Sequence, residues 1–347
     1  MRKFILLILL INFNIVAYNQ VIKGTVLDKQ THNKISSAIV YFSGTFVRTN
    51  TDKKGKFELD LSKFVTMPIT ISASGYNSVT LTIVSPEKPV LIYLKPKENK
   101  LKPDVSNSSA DDKKGEKNLR LFKNTFLGTT PNARNCQIIN EKDIEFISCS
   151  DTLKALSMKP ILVDNKALGY SLTYFLDKFE LYKKNNTFSF SGNIFFKEDL
   201  TEENKKEFYE VKRRETYDES VMYFFRSLWK DALDSNGFVV KNMEDNLLSY
   251  DEIVIQKDSL SKYLICHLDL PEKSQTDSPQ GYNIFRKKEM IYDKRGKLDP
   301  ACFSIPFLIN DIYFDKNGYF DSSGIKWEGR LAKQRVADLL PYEYSIK

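Results

Sequence analysis

Between Val21 and Leu94 the chain keeps returning to a period of two, and that alternation limits it to strands. Ile22, Gly24 and Val26 would share one face of a first strand, and Ala38, Val40 and Phe42 one face of a second. Phe46 to Asn50 is a third. Phe57, Leu59 and Leu61 alternate with Glu58 and Asp60, then Ile69, Ile71 and Ala73 with Thr70 and Ser72. Val79, Leu81 and Ile83 form a sixth strand, and Val90, Ile92 and Leu94 a seventh. The turn Asp52-Lys53-Lys54-Gly55 has Asp first and Gly last, where a side-chain acceptor and an unhindered backbone are preferred. Seven short strands in about 75 residues predict a two-sheet sandwich over 21–95.

Four segments then carry a likeness: Gly24-Thr-Val-Leu-Asp28, Ser37-Ala38-Ile-Val-Tyr41, Thr51-Asp52-Lys-Lys-Gly55-Lys-Phe57 and Gly75-Tyr76-Asn-Ser78. Together they resemble the carboxypeptidase-regulatory-like domain, a transthyretin-like (prealbumin-like) sandwich widespread in exported Bacteroidota proteins. Lys34-Ile35-Ser36 departs from the Pro-Leu more usual before the second strand. The resemblance implies a non-catalytic module serving as spacer, folding aid or interaction surface, with Gly24, Gly55 and Gly75 as turn or close-packing residues.

Met1-Arg2-Lys3 and the apolar run Phe4 to Ile11, with Ala17 before a cleavage point, read as a signal peptide over 1–17. Asn12 and Asn14 interrupt the run well short of the ~20 residues that span a bilayer, and no later segment is long and apolar enough. The first cysteine is Cys136, which removes the usual lipid attachment point. The expected address is the periplasm or the cell surface, with no transmembrane segment after cleavage. Loss of Arg2 and Lys3 takes the 52 basic residues to 50, against 45 acidic ones mixed among them, so no nucleic-acid partner is expected.

Residues 96–118 shift to Lys, Pro, Asn, Ser and Asp, with no aromatic between Tyr93 and Phe122, and read as a flexible linker. Residues 119–347 return to strand patterns at Cys136 to Asn140, Ile144 to Cys149, Ile161 to Asn165 and the pair Gly169 to Tyr182 and Thr187 to Phe196, turning at Asn185-Asn186. Leu168, Tyr170, Leu172, Tyr174 and Leu176 would line one face of that pair. Two central helices follow, one capped by Thr201 and ending near Arg214, the other starting at Asp218 and presenting Val221, Phe224, Phe225, Leu228 and Trp229, with Asn236-Gly237 ending it. Strand patterns resume at Phe238 to Lys241, Tyr263 to Leu270, Tyr282 to Asp293 and Phe303 to Phe314, before an amphipathic turn or helix at Arg330 to Leu340. Phe126-Leu-Gly128, Pro160 to Tyr170 and Arg335 to Pro341 resemble the uncharacterised half that accompanies this sandwich in some exported Bacteroidota proteins and brings no known activity with it. The predicted fold class is mainly β: an N-terminal seven-stranded prealbumin-like sandwich, a linker and a C-terminal β-rich α+β domain.

A zinc carboxypeptidase needs two histidines and a carboxylate at its metal, and the two histidines here, His32 and His267, fall in different predicted domains. His-Glu-x-x-His, Cys-x-x-Cys, Gly-x-Ser-x-Gly and a phosphate-binding glycine loop are all absent from the sequence. Cys266-His267 juxtaposes a nucleophile and a base, but neighbours on a strand point to opposite faces, and His32 reads as a solvated turn residue. Asp315-Lys-Asn317-Gly318-Tyr-Phe-Asp321 loosely resembles a calcium loop without its terminal Glu, and a tight Asn-Gly turn explains it. Phe188, Phe190, Phe195 and Phe196 would stack a glycan or fill a core. Cys136 and Cys149 would pair only if their strands were adjacent, buried free thiols being the alternative. The expectation is a non-catalytic envelope protein binding a protein or glycan, without catalytic, metal-binding or cofactor-binding residues and without a cofactor. The alternative is a carboxylate-dependent hydrolase of glycan or peptide with its site in 119–347, where a cleft with two facing carboxylates, one of them perturbed, would mark it.

Overall fold

The computed structural model describes residues 20–82, 88–98, 107–108, 113–199, 205–265, 281–286, 303–306, 311–322, 325, 328–329 and 334–346. The signal peptide, Thr201 and Cys266-His267 lie outside these residues.

The alternating N-terminal residues form β1 (Val21–Asp28), β2 (Ile39–Phe42), β3 (Arg48–Asn50), β4 (Lys56–Asp60), β5 (Ile69–Ser72), β6 (Val79–Leu81) and β7 (Val90–Leu94). One sheet has the order β4-β1-β7, with β7 parallel to β1, and the other is the antiparallel β3-β2-β5-β6. Ile22, Val26, Val40, Phe42, Phe57, Ile69, Ile71 and Ile92 meet between them as the expected sandwich core. Gly24 is needed for packing, since a Cβ there would lie 2.7 Å from the Phe57 ring and from the Val90 carbonyl oxygen. In the predicted turn Asp52 Oδ1 accepts the Lys54 and Lys56 amides, each at 2.8 Å, and Gly55 takes φ +71.

Two of the motif segments close on each other. Asp28 accepts the Gln30 and Thr31 amides at 2.7 and 2.8 Å, and the Tyr76 hydroxyl at 2.9 Å. The Thr31 amide leads in holding the Asp28 carboxyl below its ordinary 3.8. A depressed acid stabilises the fold above its unfolded pKa and loses that contribution as pH falls through the folded one. Asp28→Asn should therefore lower the melting temperature at neutral pH while narrowing the difference from wild type below pH 3.8. Parallel melting curves down to about pH 1 would contradict this.

The second body contains β8 (Asn107–Ser108), α1 (Lys113–Phe126), β9 (Cys136–Ile138), β10 (Ile144–Ser148), β11 (Thr152–Ser157), β12 (Ile161–Asn165), β13 (Tyr170–Tyr182) and β14 (Thr187–Glu198). The linker reading is corrected from Lys113 onward, because those residues begin a helix. Gly115, Asn118, Phe122 and Phe126 recur at helical spacing and are buried, while the lysines occupy the opposite face. Phe122 packs on Phe126, Phe146 and Phe179 with ring centroids 5.0, 5.9 and 4.8 Å apart.

Strand β13 organises the sheet. β14 runs antiparallel along its whole length, while on its other side the first half pairs with β12 and the last residues with β11. Tyr170, Leu172, Tyr174 and Leu176 share the buried face as expected. A bulge between Leu176 and Lys178 then shifts the parity, so Phe179 and Leu181 continue the core. Without that extra residue, Lys178 and Glu180 would point into it.

After β14 come α2 (Lys206–Asp218), α3 (Val221–Trp229), β15 (Phe238–Asn242), α4 (Tyr250–Ile253), β16 (Val254–Gln256), β17 (Lys262–Leu264), β18 (Gly281–Arg286), β19 (Phe303–Pro306), β20 (Ile312–Phe314) and β21 (Glu328–Gly329). Ser220 caps α3 by accepting the Tyr223 amide, which replaces Asp218 in that role. The expected strand over Phe303 to Phe314 is two strands in different sheets, β15-β18-β19-β21 and β16-β17-β20. Phe224, Phe225 and Leu228 bury a second core against them. The expected C-terminal turn is the short 3-10 helix Val336–Asp338.

The sandwich is docked directly against the second body. Tyr41 on the outer face of β2 contacts Phe175 and Phe195 from the face of β13 and β14 opposite the core. Gly44 N–H donates to the Ile194 carbonyl at 2.7 Å, Phe196 N–H to Thr45 O at 3.0 Å, and Gly75 N–H to Met158 O at 2.7 Å.

Candidate functional site

The first cleft lies at the junction of the two bodies and encloses about 270 Å³. The sandwich side contributes Asn77, Lys95, Lys97 and Glu98; the second body contributes Glu145, Met158 and Asp177, among others. The cleft exists because β11 and β13 part company. Their register runs from Thr152↔Tyr182 to Lys154↔Glu180 and stops, just before the β13 bulge. Lys97 fills the gap, its Nζ donating to Ser157 O on one strand at 2.9 Å and to Leu176 O on the other at 2.8 Å. An ammonium bridges two carbonyls that the ladder has left apart.

Burial lowers the Lys97 pKa from its ordinary 10.5, and the negative charge of Asp177 opposes that fall. The surrounding protein pushes the Asp177 carboxyl above 3.8, against Lys97, Ser78 and Asn193. Asp177 is itself exposed, so its shift has little energetic weight.

The second cleft, of about 400 Å³, runs beside α2. Arg213 lies 4.0 Å over the Tyr170 ring and donates to Leu168 O, Gly169 O and Glu198 at 2.7, 3.1 and 2.7 Å. The opposite wall is the C-terminal strap, residues 341–346. Arg226 on α3 holds the strap, donating to Tyr342 O at 2.9 Å and Tyr344 O at 2.6 Å, and to Asn317 O at 2.8 Å. Tyr342 N–H reaches Gly44 O at 2.9 Å, and the Tyr342 ring lies where a Cβ on Gly44 would be 2.8 Å away. Glu343 Oε1 accepts the Phe46 amide at 3.0 Å. At the base of the strap Asp338 is 6% exposed and accepts from Thr130, Asn132 and the Arg335 amide; burial still raises its pKa.

The residues singled out in the sequence do not converge on either cleft. His32 is an exposed turn residue at φ +58, edge-on to Tyr93 at 5.6 Å. Asp315 is fully buried, but its carboxylate closes a tight turn by accepting the Asn317 and Tyr319 amides and the Thr66 hydroxyl, with Gly318 at φ +81. Among the described residues no group of three or more His, Cys, Asp and Glu could hold a metal ion. Cys136 and Cys149 are free, on β9 and just beyond β10, well separated in the sheet order. Burial pushes the Cys136 thiol up to about 12, away from the thiolate that nucleophilic chemistry needs. Phe195 and Phe196 are buried and Phe190 is partly so, while Phe188 is 38% exposed under the Arg335 guanidinium. Lys97, Arg213 and Arg226 carry no signal in the sequence, since isolated basic residues form no motif.

With sandwich topology and docking established, residues 22–105 match the model of the CarboxypepD_reg-like domain. The chain therefore carries a carboxypeptidase-regulatory-like domain, a β-sandwich module, as its N-terminal body. A search of curated proteins returns no match. No helix among the described residues is long and apolar enough to cross a membrane.

Proposed function

We propose that this is an exported, non-catalytic binding protein of the cell envelope, whose ligand, a protein or glycan, is taken at the junction cleft. The observation that supports this most is that the cleft is lined from both bodies, with Lys97 bridging the two strands at its floor. Clefts between domains are favoured binding places, and this one offers amide, carboxylate and ammonium groups beside the half-exposed Met158. The test is co-purification from the native envelope, comparing wild type with Asn77→Arg, which obstructs the cleft from an exposed rim. A partner recovered with wild type and lost with the variant is expected. Equal recovery with both would remove the cleft from the reading.

The hydrolase alternative keeps one specific observation: each cleft contains a carboxyl raised by its surroundings, Asp177 in one and Glu343 in the other, with further carboxylates in the lining. Turnover of envelope glycans or peptides by residues 18–347, abolished by Asp177→Asn or Glu343→Gln, would replace the binding reading.

A further inference from the structure

Glu343 occupies an unusual position in the strap. Its Oε1 accepts the Phe46 amide of the sandwich, but its Oε2 is buried and has no hydrogen-bond partner, the only such side-chain atom among the described residues. Ionised, the carboxylate is favoured by the Phe46 and Glu343 main-chain amides and by Lys63, but its burial outweighs them; protonated, it loses much less on burial. The carboxyl therefore joins sandwich and strap more favourably with a proton than without one. We propose that Glu343 is a pH-sensitive latch: its protonation tightens the C-terminal strap on the sandwich, and its ionisation loosens the strap and opens the cleft beside α2.

The charges around Glu343 do not remove this effect. From the sandwich Lys63 favours ionisation, but it is the weakest of the influences on the group, and burial, the strongest, opposes it. From β14 and α2 the cleft presents Glu198, Glu207 and Glu210 against Arg213 and Arg214. Arg213 is already held by Glu198 and two carbonyls. On the strap side Arg226 engages only main-chain oxygens of Tyr342 and Tyr344, and Asp338 is a second buried acid farther along. Burial raises Glu343 above its ordinary 4.5. A raised acid contributes docking stability in full below its free pKa and loses it as pH rises through its bound one. The latch is thus closed in acid and released toward neutrality. The released element, residues 341–346, is one wall of the 400 Å³ cleft, so release changes access to that cleft. This inference depends on neither functional reading above.

The test is amide hydrogen exchange on the full chain, expressed as protection factors so that the intrinsic pH dependence cancels. Between about pH 4, below the ordinary 4.5 of the free carboxyl, and about pH 8, protection at Phe46 and at the strap amides should fall at least about fivefold in wild type and stay level in Glu343→Gln. Asp338→Asn should keep the wild-type dependence. Level protection in wild type, or an undiminished dependence in Glu343→Gln, overturns the proposal. If Glu343→Gln does not fold, the carbon-13 titration of the Glu343 carboxyl in wild type decides. A midpoint above 4.5 sustains the latch and one at or below it overturns it.

Discussion

Arg226→Met should lower the unfolding free energy by about 3–4 kcal/mol. The guanidinium donates to three main-chain oxygens from two segments, Asn317 in the turn after β20 and Tyr342 and Tyr344 in the strap. Methionine fills a similar volume but leaves these acceptors without their charged donor, and each such loss costs about 1–3 kcal/mol where water does not enter. Arg226→Lys should recover less than half, because a single ammonium cannot reproduce the fork. Urea unfolding supplies the measurement. A change of less than about 0.5 kcal/mol in Arg226→Met would show that solvent replaces the donor and that the strap is held by other contacts.

Lys97→Met should cost about 2–3 kcal/mol. The two carbonyls that Lys97 bridges belong to strands whose own register has ended, so no neighbouring amide takes its place. The loss should also be local. Amide protection in Ala155 to Ser157 and around the β13 bulge should fall before the rest of the sheet opens. Burial already lowers the Lys97 pKa, which sets the cost of keeping an ammonium there against the two bonds. Unchanged stability together with unchanged protection at β11 would mean that the two bodies are fastened by their other contacts, among them Tyr41 on Phe175 and Phe195 and the Gly44, Thr45 and Gly75 main-chain bonds, without help from Lys97.

Where one face of an element is apolar and the other polar, the sequence was enough. Strands β1, β4, β5 and β7, the Asp52 to Gly55 turn and the β13–β14 pair with its Asn185-Asn186 turn follow from alternation and turn chemistry, and the resemblance to the regulatory-like domain rests on these same residues. Helix α1 was hidden because composition averages over a helix, so the lysines facing solvent concealed Gly115, Asn118 and Phe122 facing inward. Strand β11, Thr-Leu-Lys-Ala-Leu-Ser, has residues that suit a helix; pairing with β10 along Ile144↔Ser157 to Ser148↔Leu153 overrides them. The clefts were the least legible. They depend on where a ladder stops and where a terminal segment crosses another body, and neither leaves a local pattern. Asp315 shows the reverse case, a suggestive spacing that a turn accounts for completely.

The hydrogen bond from Phe46 to Glu343 joins positions 297 residues apart. A chain folding as it is made, or as it emerges from a translocation channel, completes its sandwich long before the residues that fasten it are present. Contacts of such separation form late, after the intervening loop entropy has been overcome. During that interval Tyr41 and the outer face of β2 have nothing to cover them except β13 and β14, which themselves emerge more than a hundred residues after the sandwich strand. The order of synthesis thus makes the strap a late fastening, added to two bodies already in contact through Tyr41 and the β13–β14 pair.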